Sequence, residues 1–205
     1  DMVSRGLGDV YKRQRITYLS EAIAKKIGCD PNLAKSAASI SKSDLSSEMV
    51  YEFPELQGVI GTYYAVEAGF EKNIADVCKE HYAPLGPSDE VPSSPISIVV
   101  ALADKIDTLT CFWSINEKPT GSKDPFALRR SALGLIRIII ENDIRISLSN
   151  ILALGNDGAD IKDLKYFIHQ RMKVFLRDQS LRHDLIDACL SLDLSLIHIS
   201  EPTRH

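Results

Sequence analysis

Three groups of residues carry side chains whose types and spacing could do chemistry. The first is His81 with the pair Asp104 and Asp107. On a helix, positions i and i+3 share a face, so two carboxylates there can hold a divalent cation or pass a proton. The competing reading is that the pair engages Lys105 or caps a neighbouring loop. His169 and His183 fall in amphipathic helical sequence and join no such pattern. The second group is P-T-G-S-K-D-P-F-A-L-R-R, Pro119 to Arg130. A Gly-Ser-Lys turn there runs into a helix start, where backbone N–H groups favour anions although Asp124 occupies the cap. Lys118, Lys123, Arg129, Arg130 and Arg137 outnumber Glu117 and Asp124, and positions 130 and 137 lie two turns apart on a similar face. Such a patch can position a phosphate backbone by charge without reading bases. Lys123, Arg129 and Arg130 are therefore candidate nucleic-acid contacts, with a solvated charged turn as the alternative. The spacing does not make a Walker loop. The third group is Met49 to Gly58, followed by Gly61, Tyr63 and Tyr64. It reads as packing: a helix end, a proline-initiated turn and a new helix. Gly58 and Gly61 would allow close approach, and the tyrosines would bury their rings with their hydroxyls hydrogen-bonded.

The elements that must position these groups are helical nearly throughout. Ile16, Leu19, Ile23 and Ile27 recur at helical spacing, with Gly28 as the stop. Asp30-Pro31 reads as an N-cap with proline at the first helical position, followed by the stripe Leu33, Ala34, Ala37, Ala38 and Ile40. Pro54 is expected to open a third helix, with Leu56, Val59, Ile60 and Tyr63 on one side, and Glu71 to His81 forms a fourth. The proline-rich stretch Ala83 to Pro95 is a loop. Ile96 to Phe112 is a central buried helix, although Ile98, Val99 and Val100 alone would also suit a strand. A second loop ends at Asp124-Pro125, which is expected to cap a helix reaching about Asn142. Gly155 to Gly158 breaks the chain again. Asp160 to Asp178 is an amphipathic helix burying Leu164, Phe167, Ile168, Met172 and Phe175.

The two ends read differently. Ser4 to Gln14 can be written in codons whose reverse complement translates as Leu194 to Arg204, residue for residue. Two unrelated peptides do not encode one another in this way, and the DNA resembles a library-preparation adapter. Residues 1–14 and 194–205 are therefore expected to be translated adapter, which carries no folding information. Setting them aside removes four basic and three acidic residues and leaves 20 Lys+Arg against 25 Asp+Glu. A mildly acidic domain is not a bulk nucleic-acid binder, so any contact with RNA must come from a local patch. Cys29, Cys78, Cys111 and Cys189 lie outside metal-ligand spacing and read as buried thiols of a cytoplasmic, reducing environment. The apolar runs are too short for a membrane span.

Four blocks carry a family resemblance. The E-F-P-E-L-Q-G core and paired tyrosines of Leu45 to Tyr64, the E-H-Y-x-P of Glu80 to Pro84, the A-L-A-D-K-I-D-T of Ala101 to Thr108, and Pro119 to Arg130 occur in order. Residues 15–193 thereby resemble an internal piece of the glycyl-tRNA synthetase β-subunit family. The resemblance implies an all-α, HD-domain-like helical bundle, with a further helical segment beginning after about residue 155. It implies an α2β2 heterotetramer in which the α subunit holds the active site and uses ATP and Mg²⁺. The β subunit would mainly bind and position tRNA(Gly), with the remainder of β supplying other domains. It also implies that Ser41-Lys42-Ser43-Asp44 corresponds to the metal-binding His-Asp pair of HD phosphohydrolases. Asp104 or Asp107 would stand for the final aspartate and His81 for an accessory histidine. Lysine is a poor metal ligand at neutral pH. Asp44, His81, Asp104 and Asp107 are thus expected to be remnants of a degenerate site, with no catalytic residue, metal or bound cofactor in this stretch. Lys42 becomes a further candidate contact to RNA. The rival readings are a phosphohydrolase that kept its activity and a scaffold that touches no RNA.

Overall fold

The computed structural model describes residues 2–179, with side chains described from Gly8 onward. Cys189, His183 and the segment 194–205 lie outside the described residues. The all-α expectation holds: among the described residues there is no strand, only an isolated bridge between Thr120 and Lys123. The chain divides into two compact units, Asp1–Asp107 and Thr108–His205.

In the first unit, α1 (Met2–Ile27) ends where expected. Gly28 takes φ 79°, a left-handed conformation that glycine adopts without cost. Residues 2–14, which fall in the stretch expected to be adapter, form the first half of this helix. Helix α2 (Pro31–Ile40) is capped by Asp30, whose carboxylate accepts from the backbone N–H of Asn32 and Leu33. The two helices pack through Ile16, Leu19, Ile23, Ala34, Ala37 and Ala38, all buried. Each large aliphatic side chain so buried contributes about 1.5–3 kcal/mol. Leu33, expected on this stripe, instead faces out.

The next segment departs from expectation. Pro54 does not open the third helix. A 3₁₀ turn covers Ser43–Ser46, α3 spans Glu48–Glu52, a second 3₁₀ turn covers Pro54–Leu56, and α4 begins only at Val59 and runs to Glu67. The cause is Gly58, which sits at φ 82° and donates its backbone N–H to the buried Asp44 carboxylate at 2.6 Å. A β-carbon there would lie 2.9 Å from the Cys78 carbonyl oxygen. Gly58→Ala is therefore expected to lower stability by about 2–3 kcal/mol in urea titration, from backbone strain plus the clash. The expected fourth helix is divided at Asp76 into α5 (Lys72–Ala75) and α6 (Val77–Glu80). Ala65 of α4, Ala75 and Cys78 form a small core closed by Ile40 and Phe70.

Helix α7 (Pro95–Ser114) settles the ambiguity at Ile98 to Val100 in favour of helix and is buried along most of its length. In the second unit, α8 (Leu128–Glu141) begins later than Asp124-Pro125 predicts. Ala127 at φ 53° turns the chain, and Asp124 reaches forward to accept from the N–H of Leu128 (2.8 Å) and Arg129 (2.9 Å). The aspartate thus caps the helix, but from farther upstream than the sequence suggests. Among the described residues, α9 (Leu148–Leu152) and α10 (Ile161–Asp178) follow in this unit. The buried face of α10 is Leu164, Ile168, Met172 and Leu176, with Phe167 and Phe175 only partly covered. Trp113 packs beside Phe167, and its indole N–H donates to Asp163 at 2.8 Å.

Candidate functional site

Four of the site residues expected from sequence, Lys42, His81, Asp104 and Asp107, belong to one polar network inside the first unit. His81 closes α6 and is fully buried. Its Nδ1 lies 2.7 Å from the Val77 carbonyl, which fixes Nδ1–H as the donor and leaves Nε2 as an acceptor. Lys42, just past the end of α2, fills that acceptor: its Nζ donates to Nε2 at 3.0 Å. The same ammonium pairs with Asp104 at 3.3 Å and lies 4.3 Å from the centre of the Tyr82 ring. Lys42 is only 7 % exposed, so the structure places it within the protein and not on an RNA-facing surface.

Asp104 and Asp107 do share a face of α7, but their partners are not Lys105. Asp104 meets Lys12 at 3.2 Å as well as Lys42, and Asp107 takes the Arg15 fork at 2.6 Å and 3.2 Å, with Lys12 at 3.4 Å. Lys105 points elsewhere and donates to the Ala83 carbonyl at 2.9 Å. Asp44 turns away to hold Gly58. Sequence reading missed both cations: Lys12 lies within residues 1–14, set aside as adapter, and nothing local distinguishes Arg15 from the solvent-facing cations of α1.

The electrostatics follow from this packing. Burial pushes the His81 imidazole down to about 3, reinforced by the Lys42 ammonium. Burial opposes ionisation of Asp104, yet Lys42 and Lys12 together hold its carboxyl well below the usual range. Burial also lowers Lys42, an effect that Asp104 opposes. His81 is therefore neutral in the folded chain, Asp104 is charged, and the cation between them is an ammonium. Between about pH 3 and the ordinary histidine value near 6.5, only the unfolded chain protonates His81. Its contribution to stability is thus complete above that window and is lost as pH falls through it, at up to about 1.4 kcal/mol per pH unit. His81→Gln should flatten the stability-versus-pH curve between pH 6 and 4 in chemical denaturation, and an unchanged slope would refute the assignment.

The donor set does not fit a metal. Among the described residues no group of three or more His, Cys, Asp or Glu side chains is arranged to hold one. Lys42 stands between the imidazole and the carboxylate that could otherwise share a cation.

The second candidate region lies in the other unit. The turn Thr120–Lys123 is closed by reciprocal backbone hydrogen bonds. The Arg129 guanidinium donates to the Gly121 carbonyl at 2.6 Å, which ties the start of α8 to the turn. Lys123 and Arg130 are exposed, and among the described residues their side chains make no ion pair. The expected companions are otherwise engaged. Arg137 is buried and paired with Glu141 at 2.6 Å, so it does not share a surface with Arg130, and Lys118 pairs with Asp163 at 2.8 Å.

The comparisons with known proteins agree on one family. A family model described as glycyl-tRNA synthetase beta subunit matches residues 3–191. A glycine–tRNA ligase beta subunit of Ruegeria sp. (strain TM1040) is 59 % identical over 179 residues, which cover 87 % of this chain and 26 % of the relative. That of Paracoccus denitrificans (strain Pd 1222) is 58 % identical over 178 residues, with the same shares. That of Dinoroseobacter shibae (strain DSM 16493 / NCIMB 14021 / DFL 12) is 51 % identical over 214 residues, covering 87 % of this chain and 30 % of the relative. The chain therefore spans between a quarter and a third of the length of these relatives. With four sequence blocks in order and a helical fold to carry them, the chain belongs to the glycyl-tRNA synthetase beta subunit family.

Proposed function

We propose that the chain works as part of a glycine–tRNA ligase by contacting the tRNA backbone, while ATP-dependent activation of glycine takes place elsewhere. In this reading the partner α subunit holds the active site and uses ATP and Mg²⁺. The enzyme assembles as an α2β2 heterotetramer in the cytoplasm, and the remainder of β supplies further tRNA contacts. The observation that carries the reading is the Lys123, Arg129 and Arg130 cluster. It stands on a hydrogen-bonded turn capped by Asp124, within a chain of net negative charge. A fixed cluster of this kind suits phosphates, which need charge at a defined place and not base-reading geometry.

The polar network of Lys42, His81 and Asp104 serves a structural purpose here. It keeps the end of α2, the end of α6 and the middle of α7 in register without reacting. Binding of the chain 15–193 to tRNA(Gly) across a salt series tests the proposal, once circular dichroism shows it helical. Salt-sensitive binding that outcompetes other tRNAs is expected. Absent or unselective binding by a folded chain would leave this part of β as scaffold.

A further inference from the structure

The stretch expected to be packed core is, in the structure, an exposed aromatic surface. Tyr51 is 76 % and Tyr63 66 % exposed, and Met49, Phe53, Tyr64 and Val66 are exposed with them on α3, α4 and the turn between. Their rims are acidic: Glu48, Glu52, Glu55 and Glu67 all face solvent. From Ser43 to Glu71 there is no lysine, arginine or histidine at all. A cavity of about 910 Å³ opens beside α3, lined by Glu48, Tyr51 and Glu52 and, from outside this stretch, by Asp9, Arg13 and Lys42.

Large apolar side chains left exposed on consecutive short elements mark a place where something docks. Tyrosines are enriched at such surfaces because one ring offers apolar area, a hydrogen-bonding tip and a face for cations. The charge decides the kind of occupant. Phosphate backbones would meet the carboxylates of a stretch that carries no cation of its own, so RNA is disfavoured, whereas arginine and lysine side chains gain from both the carboxylates and the rings. Length decides its source. Some three quarters of the family's chain lies outside this stretch in the Ruegeria relative, at 26 % coverage, and a covalently tethered surface reaches a high effective concentration.

We infer that the α3–α4 face is the docking surface for a basic protein surface belonging to another part of the same β chain.

Tyrosine nitration of the full-length β subunit, read peptide by peptide by mass spectrometry, tests this. Tyr51, Tyr63 and Tyr64 should react at least tenfold more slowly in folded β alone than in denatured β. Adding the α subunit or tRNA should change little. The variant Glu48→Lys/Glu52→Lys/Glu55→Lys/Glu67→Lys should restore their reactivity while leaving the helical signal intact. If that variant fails to fold, the corresponding four Glu→Gln changes remove the charge while keeping the shape, and should raise reactivity severalfold. Tyrosines that react freely in β alone overturn the inference, whether protection then comes with α, with tRNA or never. Protection that survives every charge substitution overturns it as well, because the partner would not be basic.

Discussion

Lys42→Met is expected to lower the unfolding free energy by about 3 kcal/mol, at the low end of the cost of breaking a buried ion pair. The physical reason is the company the ammonium keeps. It donates to His81 Nε2 at 3.0 Å and pairs with Asp104 at 3.3 Å, with both partners of the ion pair largely inside the protein. Methionine fills a similar volume but leaves a carboxylate and an imidazole acceptor facing an apolar chain. Lys12 stays on Asp104 and relieves part of the loss. That relief has its own test, because Lys12 lies in the segment whose codons mirror the C-terminal tail. In a chain starting at residue 15 the same substitution should cost more, since the Lys12 pair with Asp104 is then removed as well. The double variant Lys42→Met/Asp104→Leu should recover much of the stability, because the buried carboxylate is no longer left without its cation and only the His81 acceptor lacks its donor. Urea denaturation of the parent, Lys42→Met, Asp104→Leu and the double variant closes the cycle. Strict additivity would mean that Lys42 and Asp104 do not interact.

Much of the fold was legible because it is written locally. Asp30-Pro31 and Gly28 act within one helical turn, and the apolar stripe of α1 needs only its own spacing. The network was not legible, because its members come together from far apart in the chain. Lys42 and His81 are separated by 39 residues, and Arg15 and Asp107 by 92. No periodicity links such positions. Lysine is so seldom buried that reading Lys42 as a surface cation followed the base expectation. The signal that could have corrected it was the expected correspondence of Ser41 to Asp44 with a metal-binding pair, since a lysine in such a place would take over the position of a cation. The tyrosines failed in the opposite direction. Ring size argues for burial, yet Tyr51 and Tyr63 stand out from short elements whose inner positions are taken by Val50, Gly61 and Ala65. At the basic turn, spacing alone gathers five cations. It does not reveal that Arg137 and Lys118 are claimed by Glu141 and Asp163, acidic residues on the same helix and on α10.

With those two cations claimed, three side chains are left to meet RNA, and their effect on binding can be given a quantitative form. Lys123→Ala, Arg129→Ala and Arg130→Ala, combined in full-length β assembled with α, should weaken tRNA(Gly) binding roughly equally for all sequences of the contacted region. Each phosphate that loses its cation takes about one from the slope of log affinity against log salt, so the triple variant should be flatter by about three. Arg129 has a second role, because its side chain also holds the Gly121 carbonyl. Arg129→Ala alone should loosen the turn and displace Lys123, so its effect on the slope should exceed one. Arg130→Ala, which breaks no hydrogen bond among the described residues, should leave a single phosphate without its partner and do no more. Arg137→Ala serves as the control from the same helix. It should lower stability by removing the buried Arg137 side chain and its pair with the exposed Glu141 carboxylate, and leave the salt slope of the folded enzyme unchanged. A triple variant with the parent's slope would take RNA contact away from this turn and assign the cluster to packing against another protein surface.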